Sequence, residues 1–361
     1  MITKFVTTVC AIISMAASGV ATADAAAAAP PASCPTGIPA TMRLVNDYWQ
    51  SHNGAPTTKD WTVGVYFTGD MAAAATLHEP RYLDYASKWA KAQQFGLNGG
   101  PTTTNADNQT AGQTYIELYQ GDPNHPASDL TQIRQSAQTV VNRPAVNDWW
   151  WVDALFMAMP VYAKLAQVEN NPAYLAKMYA LFRDTKQTRG LWNNTVGLWW
   201  RDNGYVGKNI YWSRGNGWAI AALARTLDVL PATDAHRAEY VQVLRQMAAA
   251  LKTAQQPSGF WYVNLRDASQ FPGPETSGTA LFTYALTWGI NHGVLDAATY
   301  APVVTKAWKA MATTSVRADG FLGYVQKIGA APAKVDAGST TNYGVGAFLL
   351  AGSQLAPLCG Q

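Results

Sequence analysis

The sequence predicts an all-α fold in which six helical hairpins close into an α/α toroid. About twelve stretches place apolar residues at helical spacing between short Gly, Pro, Asn and Asp connections, and strand-type alternation dominates nowhere. Three longer irregular segments, 96–108, 190–214 and 257–276, are rich in Gly, Trp and Asn, and each precedes a helix expected to lie inside the ring. Segments of that length in a compact domain are functional or disordered, and their Trp content argues against disorder. With 361 residues, 48% of them hydrophobic, the chain can bury one large core. An open α-solenoid would use the same helices, but no fixed-period repeat runs along the chain.

The first expected helix, 41–51, carries Met42, Val45 and Trp49 on one face. The others fall at 63–77, 81–95, 109–120, 130–141, 149–168, 172–188, 215–230, 235–254, 277–291, 297–312 and 343–355. Pro172 stands early in its helix, and Asp129 with Gln132 three residues on marks another start. In a ring of hairpins each inner helix turns its N-terminal end, and the loop before it, toward one shared cleft.

Residues 1–23 read as a signal peptide: Lys4 supplies the positive region, 5–20 is apolar and small, and Ala21-Thr22-Ala23 fits a small-x-small cleavage site. The apolar run is too short and too rich in Ala and Ser for a membrane span. An Ala/Pro-rich leader is expected at 24–33 and a single catalytic domain at 34–361. The mature protein is thus expected to be exported and free of the membrane. Cleavage removes Cys10 and leaves Cys34 and Cys359, which either form a disulfide or stay free. A monomer is the expected state.

A net charge of +3, without runs of Lys or Arg, disfavours nucleic acid or an anionic membrane as the main partner. Fourteen Trp and seventeen Tyr point elsewhere. Indole faces stack on the C–H faces of sugar rings, although for any one Trp core packing is the better account. The five histidines, His52, His78, His125, His236 and His292, do not pair at metal-ligand spacing, and there is no Cys cluster, so no metal is expected. A G-x-S-x-G elbow, a P-loop and a dinucleotide fingerprint are all absent, so no cofactor is implied. Carboxylate chemistry remains, the usual equipment for glycosidic bonds.

The main candidate is Asp153, which follows Trp149-Trp150-Trp151-Val152 near a helix start. Burial would raise its pKa and fit it to donate a proton, whereas a helix N-terminus favours the anion. A plain N-cap is the rival role. Asp107, in Asn105-Ala106-Asp107-Asn108, is the second acid, again with an N-cap as the simpler role. Arg214 lies between Trp212 and Trp218, an arrangement suited to gripping a sugar carboxylate while an indole covers a ring; packing of Arg on Trp is the alternative. Glu275-Thr276-Ser277 opens another helix as a polar turn or a cap. Tyr343-Gly344-Val345-Gly346 opens the last helix with two glycines, implying close packing or a ligand's approach. Trp151, Tyr66, Arg201, Ser277 and Tyr343 complete the expected substrate contacts, with an acidic oligosaccharide as the partner.

Taken in order, these blocks resemble glycoside hydrolase family 105, the unsaturated rhamnogalacturonyl hydrolases, and the related unsaturated glucuronyl hydrolases. The likeness runs through Lys59-Asp60-Trp61-Thr62, Ala106-Asp107 with Gly112-Gln113-Thr114-Tyr115, Trp151-Val152-Asp153-Ala154-Leu155-Phe156-Met157 and Leu198-Trp199-Trp200-Arg201-Asp202. It continues through Trp212-Ser213-Arg214-Gly215-Asn216-Gly217-Trp218, Glu275-Thr276-Ser277-Gly278-Thr279-Ala280 and Tyr343-Gly344-Val345-Gly346-Ala347-Phe348.

The resemblance implies the six-hairpin toroid and a substrate bearing a C4–C5 double bond in a non-reducing-end uronate, such as unsaturated galacturonyl-rhamnose from pectin rhamnogalacturonan. By that resemblance Asp153 protonates C4, water captures the cation at C5, and the resulting hemiketal opens and releases the linkage. Asp107 matches the second acid, and Arg214 and Trp218 match positions holding the carboxylate and ring. Two departures stand out. Asn105 and Asn108 replace residues of a His-Ala-Asp-Asp stretch, and Arg201 stands near where some members carry a His. A glycosidase or lyase acting on another uronate glycan, and a glycan-binding protein without activity, are the alternatives.

Overall fold

The computed structural model describes residues 31–122, 124 and 126–361. The expected signal peptide 1–23 and residues 24–30 of the leader lie outside the described residues, as does His125. Among the described residues the fold is twelve long α-helices and one short one, with three short 3-10 or π turns and a two-stranded ribbon.

The outer helices are α1 (Ile38–Asn53), α3 (Pro80–Ala92), α6 (Thr131–Asn142), α8 (Ala173–Arg183), α10 (Arg237–Ala254) and α12 (Ala297–Ala310). The inner ones are α2 (Trp61–Leu77), α5 (Ala111–Gly121), α7 (Ala154–Glu169), α9 (Ser213–Val229), α11 (Thr276–Asn291) and α13 (Asn342–Leu358). The inner helices pack in that succession, and α13 returns to α2, so the six-hairpin toroid is closed. A short helix, α4 (Ala106–Gln109), precedes α5 and lies on α7.

The division follows from composition. Outer helices bury one stripe, as α1 does with Ile38, Met42, Val45 and Trp49, while α11 is buried on every side from Thr276 to Ile290. Closure of the ring depends on two glycines. A Cβ on Gly69 of α2 would stand 2.2 Å from the Gly346 carbonyl oxygen of α13, and one on Gly346 would stand 2.3 Å from that of Val65. Gly346 thus serves close packing, the first of the two roles its sequence allowed.

Side-chain caps fix the starts of inner helices. Asp60 accepts from the backbone N–H groups of Thr62 and Val63 at the head of α2, and Glu275 does the same for Ser277 and Gly278 at α11. A buried ion set then locks α5, α7 and α9 together. Glu117 lies 2.6 Å from Arg225 and 3.2 Å from Lys164, and both cations hold its carboxyl below the usual range against the opposing effect of burial. Arg225 also donates to Gln113. Cys34 and Cys359 are joined in a disulfide, which settles the choice their sequence left open.

Most expected helix bounds hold to within a few residues. The exception matters: the helix expected from 149 begins at Ala154, and Trp149–Asp153 are irregular. The backbone N–H of Val152 is taken by the carbonyl of Arg201 at 2.8 Å, so a distant segment competes successfully with the local helix.

Candidate active site

Four segments converge where the inner helices begin. In the first, Asn105 accepts from the N–H groups of Asp107 and Asn108 and so caps α4. That leaves the Asp107 side chain free of capping duty, and it lines a cavity. The residue that departs from the family stretch therefore does the work the simpler reading gave to Asp107.

The second segment carries Asp153. It occupies the position before α7 with helical dihedrals, and its side chain makes no cap bond, which removes the N-cap role. The residue is 9% exposed, and Oδ2 is buried without a hydrogen-bond partner among the described residues. Such an atom is costly to bury as a bare anion.

The third segment is the ribbon of β1 (Trp192–Asn193) and β2 (Leu198–Trp199), which pair antiparallel. Asn216 of α9 accepts from the Trp199 N–H and donates back to its carbonyl, fastening the ribbon to the inner ring. Together with the Val152–Arg201 bond, this sets Arg201 beside the acid, its Nε 3.5 Å from Asp153 Oδ2. Arg201 is balanced from behind by Asp202 at 2.7 Å.

The fourth segment runs from Gln326 to Ala330. Arg214, only 1% exposed, donates to the carbonyls of Gln326, Lys327 and Gly329, each at 3.0 Å, and to the Tyr343 hydroxyl. The Trp212 indole lies 4.3 Å beneath its guanidinium and donates to the Gln326 side chain. The segment is thus strapped across one side of the site. Both Nη atoms of Arg214 are committed to the strap and Tyr343, while its Nε is buried without a hydrogen-bond partner among the described residues. Arg201 is the cation paired with the acid.

Between these segments lies a cavity of about 280 Å³. Asp107, Trp151, Asp153, Arg201 and Arg214 line it together with Trp61, Met157 and the strap residues Ile328, Gly329 and Ala330. Burial pushes the Asp107 carboxyl up to about 7, helped by the neighbouring Asp153 charge and opposed by Arg201. Burial also pushes Asp153 upward, against the pull of Arg201 and Arg214. Two coupled carboxyls raised in this way can hold a proton near neutral pH and deliver it into the cavity.

Of the other expected contacts, Trp218 is fully buried behind the cavity against Phe156, Trp61 and Tyr343, and Tyr343 stacks on Trp61. Tyr66 and Ser277 do not reach the cavity. Tyr66 faces α1, stacking on Trp49 and donating to Asn46, because its turn of α2 points outward. The Ser277 N–H and hydroxyl are both spent on Glu275 in the cap of α11. Trp61, Met157 and the strap were not among the expected contacts. The Asp60 cap just before Trp61 was a usable signal, whereas 326–330 offers none. Among the described residues no group of three or more His, Cys, Asp or Glu could hold a metal ion.

Acid chemistry housed in a six-hairpin toroid and walled by indole and guanidinium groups is the equipment of a carbohydrate-active enzyme. The sequence model described as Glycosyl Hydrolase Family 88 matches residues 38–358, and the chain belongs to that family. It is similar to the unsaturated 3S-rhamnoglycuronyl hydrolase of Formosa agariphila, at 33% identity over 84% of this chain and 85% of the relative. Among solved structures, a glycosyl hydrolase family 88 protein from Bacteroides vulgatus shares 37% identity at a TM-score of 0.83, covering 89% of this chain and 98% of that one. A protein titled a polysaccharide lyase matches equally well, at 37% identity and a TM-score of 0.83 over 88% and 96% of the two chains.

Proposed function

We propose that this glycoside hydrolase removes a 4,5-unsaturated uronic acid from the non-reducing end of lyase-generated oligosaccharides, with unsaturated galacturonyl-rhamnose of pectin rhamnogalacturonan as its substrate. The observation that carries this reading is Asp153: buried, freed from capping, and raised in pKa, with one oxygen that makes no hydrogen bond and faces Arg201 at 3.5 Å. A similar enzyme named for a rhamnoglycuronyl substrate supports the uronyl-rhamnose assignment.

Asp153 gives its proton to C4 of the vinyl ether, leaving positive charge at C5 that the ring oxygen shares. The carboxylate so formed, with Asp107 beside it, takes a proton from the water that adds to C5. The C5 hemiketal opens to a ketone, and C1, now a hemiacetal carrying the leaving sugar, expels it as an alcohol. Arg201 attracts the uronate carboxylate, while Trp61 and Trp151 offer indole surface to the ring.

One observation favours a second reading. The similarity to a polysaccharide lyase, with Arg201 set beside Asp153, suits β-elimination, in which the Asp153 anion takes the C5 proton and the C4 substituent leaves. A single assay separates the two. Consumption of the double bond lowers absorbance near 235 nm when lyase-treated rhamnogalacturonan is the substrate, and elimination raises it on an intact uronate glycan. No change with either leaves only glycan binding. Export is part of the proposal, supported by Lys4, the apolar stretch 5–20 and the Cys34–Cys359 disulfide. A secreted form whose mass begins at Asp24 is the expected product.

A further inference from the structure

The three consecutive tryptophans are not equivalent. Trp149 and Trp151 are 1% and 4% exposed, whereas Trp150 is 48% exposed and is the one aromatic among the exposed large apolar side chains of the described residues. A single exposed indole is ordinary on a protein surface, so a functional role for this one needs a reason beyond exposure.

A second cavity, of about 330 Å³, supplies that reason. It is lined by Trp150, Arg189, Asp202, Asn203 and Gly204. Two pairs of adjacent residues join it to the acid cavity. Trp151 lines the first and Trp150 the second, their ring centroids 4.7 Å apart, while Arg201 lines the first and Asp202 the second. The Arg201 guanidinium lies 5.7 Å from the Trp150 ring, so one cation is shared along the boundary. The combination is an apolar platform with a carboxylate and an amide at its rim, which matches a pyranose: C–H groups on one face and hydroxyls around the edge.

We propose that Trp150, with Asp202 and Asn203, forms the platform for the sugar that leaves, and that Trp150 determines how strongly the enzyme prefers an oligosaccharide over a bare uronide. The uronate then occupies the acid cavity, and the chain extends past Trp151 onto Trp150. This inference rests on the uronyl-hydrolase reading above.

The test compares two substrates, the unsaturated uronyl-rhamnose disaccharide and the methyl glycoside of the same unsaturated uronate. Trp150→Ala is expected to lower the ratio of their kcat/KM values, disaccharide over methyl glycoside, by about tenfold, mainly through KM. Trp150→Phe, which keeps an aromatic face, should restore most of that ratio. An unchanged ratio in Trp150→Ala overturns the platform even where both rates fall together, since equal losses would mean only that the indole supports Arg201. A parent enzyme that consumes neither substrate instead defeats the hydrolase reading, and the platform falls with it.

Discussion

Arg201 places its Nε 3.5 Å from Oδ2 of Asp153 and an Nη 2.7 Å from Asp202, so one guanidinium spans the general acid and a balancing carboxylate. The cation lowers the proton affinity of Asp153 and Asp107 alike. Because the donor acts in its protonated form, activity falls as pH rises through the pKa of the pair. Arg201→Gln removes the pull, raises that pKa, and should move the alkaline limb of kcat/KM upward by about one pH unit. A limb that stays in place in the measured pH profile would break the link between Arg201 and the acid.

Asp153→Asn keeps shape and loses the proton. Turnover should fall by roughly a thousandfold, with binding of unsaturated oligosaccharide still measurable by calorimetry. Turnover close to that of the parent would take Asp153 out of its assigned role.

Arg214 holds the strap through three carbonyls, and the Trp212–Gln326 bond adds a fourth tie. Arg214→Ala should release the strap, raise KM, and speed tryptic cleavage after Lys327 on the order of tenfold, because local opening exposes the backbone. Timed digestion followed by mass measurement reads this directly, and an unaltered rate at Lys327 would contradict the tie.

Away from the site, Asp70 is buried between α1 and α2, bonded through Oδ1 by Asn46 and Gln50. Burial pushes its carboxyl up to about 7 despite those bonds. The unfolded value is about 4, so between roughly pH 4 and 7 the folded chain holds the extra proton. Its contribution to stability is full below that window and is lost as pH rises through it. Asp70→Asn keeps the Oδ1 acceptor without the charge. It should flatten chemical-denaturation stability between pH 4 and 7 and gain on the order of 2 kcal/mol at pH 8. A slope equal to the parent's would exclude Asp70 as its source.

The Cys34–Cys359 disulfide closes nearly the whole described chain, with a sequence separation of 325. Replacing both cysteines by Ser should lower unfolding stability by roughly 2–4 kcal/mol, measured as a fall in Tm. A Tm equal to the parent's would mean that helix packing alone holds the two ends.

Helices were legible because each long one repeats its own local signal, whereas contacts made across the fold were not. Trp149 to Asp153 read as helical because apolar residues fit that period, yet the Arg201 carbonyl claims the Val152 N–H and releases Asp153 from the helix cap. Asp107 and Asp153 were readable as acids near helix starts. That Asn105 caps in place of Asp107 was also written locally, as a cap residue two positions earlier. The strap was not readable, since it acts through backbone carbonyls, which every residue possesses. For the same reason the ties that Arg214 makes to the strap were not readable either. Tyr66 was misplaced because a helix number says nothing about which way its turn faces within a ring.

The seam where Gly69 meets Gly346, together with the Cys34–Cys359 bond, gives the molecule the character of a closed band. Gln361 also accepts from the Ile38 N–H and donates to the Pro35 carbonyl, so the two ends of the described chain already touch. Around such a band the order of hairpins is cyclic and the point of entry arbitrary. A circularly permuted gene, opened at the turn near Pro231 and joined between the segments that carry Cys34 and Cys359, would encode the same neighbours for every inner helix and the same pair of acids at its mouth.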